Sequence, residues 1–158
     1  MQIQRRQLLM GLSLMATGTA NAQHDKILGE FDPTHGLPTL KIGISALSST
    51  KIFGAVALVD TGASSCLVDQ SVVDQLRLEP FGTQKNFSTA GLVDYPTYIC
   101  RIGLGDKTAF KQLVAGRPVG PHKLPYKVII GMSILQYYDV RIRKKDQLIS
   151  LQRVVEPG

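Results

Sequence analysis

One acid in this chain is set up for chemistry. Asp60 ends the apolar run Val56-Ala57-Leu58-Val59 and is followed by Thr61, Gly62, Ala63, Ser64 and Ser65. The run reads as a strand buried on both faces. A carboxyl group at the end of such a strand is costly to desolvate unless something nearby compensates. Gly62 signals a tight turn or a close backbone approach, so the turn presents the acid toward a reaction. Other reactive side chains are less well placed. His24, His35 and His122 are scattered through loop-like sequence and read as surface or loop residues. Cys66 and Cys100 have no metal-ligand spacing with another Cys or His, and either one disulfide or two buried free thiols fits them. Gly105-Asp106-Lys107-Thr108 lacks the glycine spacing of a phosphate loop and reads as a turn. No cofactor and no metal are expected.

Asp60-Thr61-Gly62 resembles the active-site triplet of the aspartic proteases, and Ala63 after it resembles the retroviral-type, retropepsin-like variant. A second segment, Val128-Ile129-Ile130-Gly131, is similar to the family's pair of apolar residues and glycine, represented by Ile129, Ile130 and Gly131. In the family a short helix follows and packs behind the active-site turn. Ser88-Thr89-Ala90-Gly91 lies where the family has a hairpin that closes over substrate as a flap, which puts Thr89, Ala90 and Gly91 near the flap tip. The family often has an acid or amide near position 133; Ser133 stands here and implies different local hydrogen bonding. The resemblance spans about Leu40 to Val154. It implies an all-β fold, mainly strands with one or two short helices: the closed β-barrel of the retropepsin-like acid proteases.

By the same resemblance the function is that of an aspartic endopeptidase acting on a peptide or protein substrate. Amide hydrolysis needs an activated water and a proton for the leaving nitrogen. Two carboxyl groups sharing one proton supply both, because like charges that close cannot both ionise. The chain carries one Asp-Thr-Gly, and Asp94, Asp106 and Asp139 have no comparable apolar-strand and glycine setting. A homodimer with Asp60 from each copy beside a two-fold axis is therefore expected. Thr61 would bond across the axis, and Gly62 would let the substrate backbone approach. Ala63 lacks the hydroxyl that many two-domain relatives place there. The alternative is a non-catalytic module of the same fold, used for binding or assembly; fold alone does not fix function.

The elements that must position Asp60 are legible as periodicity. Leu40, Ile42 and Ile44 alternate with polar or small residues, Ser48 to Lys51 turn, and Ile52 to Val59 returns, giving a hairpin that delivers Asp60. Cys66-Leu67-Val68 reads as a short strand, and Asp69 as the cap of a helix over residues 70–78 that ends at Glu79-Pro80. Tyr98 to Leu104 and Ala109 to Val114 read as strands, Gly116 to Pro125 as a loop, Tyr137-Tyr138-Asp139-Val140 as the lead into a strand and Leu148 to Val154 as the last strand. The domain expected over 39–155 is preceded by 23–38, polar with Gly29, Pro33, Gly36 and Pro38, read as a linker or N-terminal arm.

Residues 1–22 have the layout of a secretory signal peptide: Arg5 and Arg6, an apolar stretch from Leu8 to Ala16, and the small-x-small site Ala20-Asn21-Ala22. The arginine pair fits a twin-arginine signal only in part. Export to a periplasmic or secreted location is expected, with no stable membrane span after signal removal. Loss of 1–22 removes two arginines and no acid, leaving 16 basic and 12 acidic residues, a balance of +4. That mild excess suits acidic partners and does not point to nucleic acid. With 158 residues, 44% apolar and 19% charged, the chain holds one ordinary domain with a good core.

Overall fold

A computed structural model of the chain describes residues 26–88, 91–105, 108–119 and 124–154. The alternating segment forms β2 (Pro38–Ala46), which pairs antiparallel with β3 (Phe53–Val59) from Thr39↔Leu58 to Ile44↔Phe53. Leu40, Ile42 and Ile44 go inward, as the period of two requires. Along the chain follow β4 (Cys66–Asp69), α1 (Gln70–Leu76), β5 (Pro80–Ser88), β6 (Gly91–Gly103) and β7 (Ala109–Arg117). Then come β8 (Val128–Ile130), α2 (Met132–Leu135), β9 (Tyr138–Arg143), a 3-10 turn at Lys144–Asp146 and β10 (Leu148–Arg153). A strand at Ile27–Phe31 precedes them all as β1.

The pairings close on themselves. β2, β3, β8, β4, β7 and β6 are neighbours in that order, and β6 pairs back to β2. Two of these contacts, β3–β8 and β4–β7, are parallel, so the ends of β3 and β8 emerge side by side. The main core fills the ring with Leu40, Ile44, Ile102, Val114, Ile130 and Ile134. Each such side chain contributes about 1.5–3 kcal/mol relative to exposure. A second, smaller cluster of Val119, Tyr126 and Ile129, with Val56, Leu58 and Leu67 against it, covers the other face of β3. The strand before Asp60 is thus fully buried on the Ala57 and Val59 face and only partly buried on the Val56 and Leu58 face, where the sequence suggested burial on both.

Four features differ from the sequence expectation. Within the stretch read as a linker or arm, residues 27–31 form a strand pairing with β10 and β2. Gly29 there is a close-packing residue, because a Cβ would lie 2.5 Å from the Thr39 carbonyl oxygen and 2.8 Å from Ile149. The hairpin β5–β6 is longer than expected, starting at Pro80 and pairing through Ser88↔Gly91. The helix accordingly stops earlier, at Leu76, with Arg77 left-handed at φ 50 and its N–H on the Asp74 carbonyl. β7 continues through Gly116 to Arg117, where the sequence suggests a loop. Gly116 accommodates the Tyr98 ring, which would lie 2.5 Å from a Cβ.

Candidate active site

Asp60 follows β3 directly. Its N–H donates to the Ile130 carbonyl at 3.0 Å, which ties the start of the turn to the end of β8. Gly62 N–H donates to Asp60 Oδ1 at 2.9 Å, and Ala63 N–H to the Asp60 carbonyl at 3.2 Å. The turn therefore holds both the backbone and the carboxylate of its own first residue. A Cβ on Gly62 would sit 3.2 Å from Asp60 Oδ1 and crowd that contact. Asp60 is half-buried, while Thr61, Gly62 and Ser64 are exposed.

The second motif lies directly beneath. A Cβ on Gly131 would be 2.5 Å from the Ser65 carbonyl oxygen and 2.6 Å from that of Ala63, so only glycine fits without a backbone shift. The first N–H groups of α2 then donate into the turn: Met132 to the Ala63 carbonyl at 2.7 Å, Ser133 to the Ser64 carbonyl at 3.1 Å. These donors would have no partner within the helix, so the turn and the helix end satisfy each other. Ser133 Oγ lies 3.4 Å from Cys66 Sγ, which is the local contact this chain makes in place of an acid or amide.

Cys66 and Cys100 are free and buried. Burial pushes the Cys100 thiol up to about 12 and also raises that of Cys66, which disfavours the thiolate form at both.

Among the described residues every other aspartate is engaged elsewhere. Asp32 bonds His35, Asp74 accepts from Gln70, and Asp94 faces Lys85. Asp139 pairs with Arg141, and Asp146 with Arg143. Asp69 caps α1 through Ser71, accepts from Val119 N–H at 3.0 Å, and faces Lys127 at 3.6 Å. Among the described residues Asp60 is thus the one aspartate at this turn. Asp106, Thr89 and Ala90 lie outside the described residues, as do His24, His122 and the 1–22 segment. Gly91 begins β6 at φ +99, a left-handed conformation that favours glycine.

No family model and no curated protein sequence matches the chain. Solved structures do match. A retropepsin-like aspartic protease from Rickettsia conorii superposes with a TM-score of 0.56 at 17% identity, over 82% of this chain and 91% of that one. The chain has the retropepsin-like fold. EIAV protease complexed with the inhibitor HBY-793 matches with a TM-score of 0.48 at 20% identity, over 66% of this chain and 90% of that one.

Within this retropepsin-like fold Asp60, Thr61, Gly62 and Ala63 form one turn, and Ile129, Ile130 and Gly131 are brought against it. Gly91 belongs to a different element, the hairpin β5–β6. Two residues near the turn were not singled out from sequence. Tyr126 packs in the smaller cluster; burial, then the Asp60 charge, raise its phenol, and Arg117 acts in the opposite direction. Arg117 ends β7 with its guanidinium 5.5 Å from the Tyr95 ring centroid. The signal for Arg117 was a charge closing an apolar strand, as Asp60 does, but Gly116 and Pro118 disguised it as loop. Among the described residues no group of three or more His, Cys, Asp or Glu side chains gathers as a metal site, and no helix is long and apolar enough to cross a membrane.

Proposed function

We propose that the chain is an aspartic endopeptidase that works as a homodimer, each copy contributing Asp60. The observation that carries this is a single half-buried carboxylate held by the Asp60–Ala63 turn, braced from below by Gly131 and α2. One such group cannot both activate water and protonate the leaving nitrogen; two of them, sharing a proton, can. The ionised Asp60 takes a proton as water attacks the carbonyl carbon. The protonated Asp60 of the other copy gives its proton to the carbonyl oxygen. Collapse of the tetrahedral intermediate, with proton delivery to nitrogen, breaks the C–N bond.

The exposed Thr61 and Gly62 suit an interface at this turn, and so does the exposed side chain of Met132, whose N–H bonds the Ala63 carbonyl. Residues 1–22 act as an export signal in this reading, and the mature enzyme works outside the cytoplasm. The test is incubation of the mature chain with a mixed peptide library beside Asp60→Asn. Cleavage by wild type and none by the folded variant supports the enzyme. A dimer that binds peptides without cutting them returns the chain to the binding or assembly reading.

A further inference from the structure

A cleft of about 460 Å³ opens between the acid turn and the hairpin β5–β6. Its lining comprises the 62–65 turn, Leu67, Gln84, Lys85 and Arg117. Two of these side chains are cationic and none is a carboxylate. The guanidinium of Arg117 lies over the Tyr95 ring, 5.5 Å from its centroid, a cation–π contact that restrains it. Its Nε is buried without a hydrogen-bond partner, and no ion pair among the described residues includes Arg117. That cation–π contact between β6 and β7 holds the guanidinium but leaves the Nε donor unsatisfied, which is costly. Lys85 faces Asp94 at 3.9 Å with both side chains largely exposed, a screened contact that leaves the ammonium free to share a second anion. Ser64 and Ser65 add hydroxyl donors on the turn side.

We propose that this cleft is a carboxylate-binding subsite anchored by Arg117, selecting peptides with an acidic group within a few residues of the bond presented to Asp60. The cleft touches Gly62, two residues from the acid, so a peptide extended across the turn brings a neighbouring side chain to it. A planar guanidinium already held on a ring loses little freedom on taking a carboxylate in two parallel hydrogen bonds. The substrate class rests on the endopeptidase reading; the subsite itself does not.

The test separates the two. Peptides differing only by Glu, Gln or Lys at one position, scanned along the sequence and prepared with free or amidated C-termini, are titrated into the Asp60→Asn protein and offered to wild type for cleavage. The Glu peptide is expected to bind about tenfold more tightly than its Gln partner at one position, with the gap shrinking as salt is raised. In the double variant with Arg117→Met the ratio falls to about one, and with Arg117→Lys it is partly restored. Should the Met variant fail to fold by circular dichroism, the salt-dependent ratio in Arg117→Gln serves instead. A preference that depends on the free terminus assigns the subsite to a terminal carboxylate, and one indifferent to amidation assigns it to a side chain; both uphold it. Equal binding of Glu and Gln peptides at every position, or a Glu preference that survives loss of Arg117, overturns it. Selective binding without any cleavage by wild type leaves the subsite standing and removes the endopeptidase; cleavage with no acidic preference does the reverse.

Discussion

Asp60 is oriented by its own turn, and the side chains that follow it decide which hydrogen bonds its carboxylate is offered. Ala63 offers no hydroxyl. In Ala63→Ser an added donor favours the ionised carboxylate, so the acid limb of peptide cleavage moves to lower pH. A pH–rate profile checks this, and an unchanged or upward-shifted limb counts against it. Asp69 acts at a distance. Burial alone would raise its carboxyl, but bonds from Ser71 and Val119 and the Lys127 charge outweigh it and hold the group below the usual 3.8. Its contribution is therefore present above pH 3.8 and fades as pH falls through the lower folded value. Asp69→Ala loses the helix cap and the tie to Val119, and should cost about 1–3 kcal/mol at neutral pH. Urea unfolding at neutral pH and again well below 3.8 should show that penalty shrinking in acid. The cap was legible in sequence because Asp before a helical pattern has few other meanings. The Val119 contact was not, since 50 residues separate its partners.

At the level of elements, the acid turn is as rigid as what lies under it. Gly131 permits backbone contact that no side chain allows. Gly131→Ala must push β8 and α2 away from the turn, at a cost of about 1–3 kcal/mol, with a larger loss of cleavage than the stability change explains. Unfolding midpoints and specific activity of the folded variant measure both parts. The hairpin β2–β3 and the strand into Asp60 were readable because alternation and apolar runs report local geometry. β1 and the end of β7 were not, and for one reason. Gly29 and Gly116 look like turn residues, yet each serves packing between elements distant in sequence. Glycine in a strand marks close approach as often as a bend. That same ambiguity hid Arg117, and with it the basic end of the cleft.

On the proposed mechanism, one copy of the molecule carries half of the site. A closed ring of strands with two parallel pairs presents one acid turn, and the proposed mechanism requires a second acid from a symmetric copy. The closed ring was expected from the family resemblance, whereas the second carboxylate that the proposal requires would belong to another copy and is not displayed by a single chain. The most direct measurement is peptide cleavage by wild type co-refolded with increasing Asp60→Asn. If each site needs an Asp60 from both copies, an equal amount of variant lowers activity per wild-type chain to about one half, and a ninefold excess to about one tenth. Activity per wild-type chain that stays constant across the titration would contradict the account.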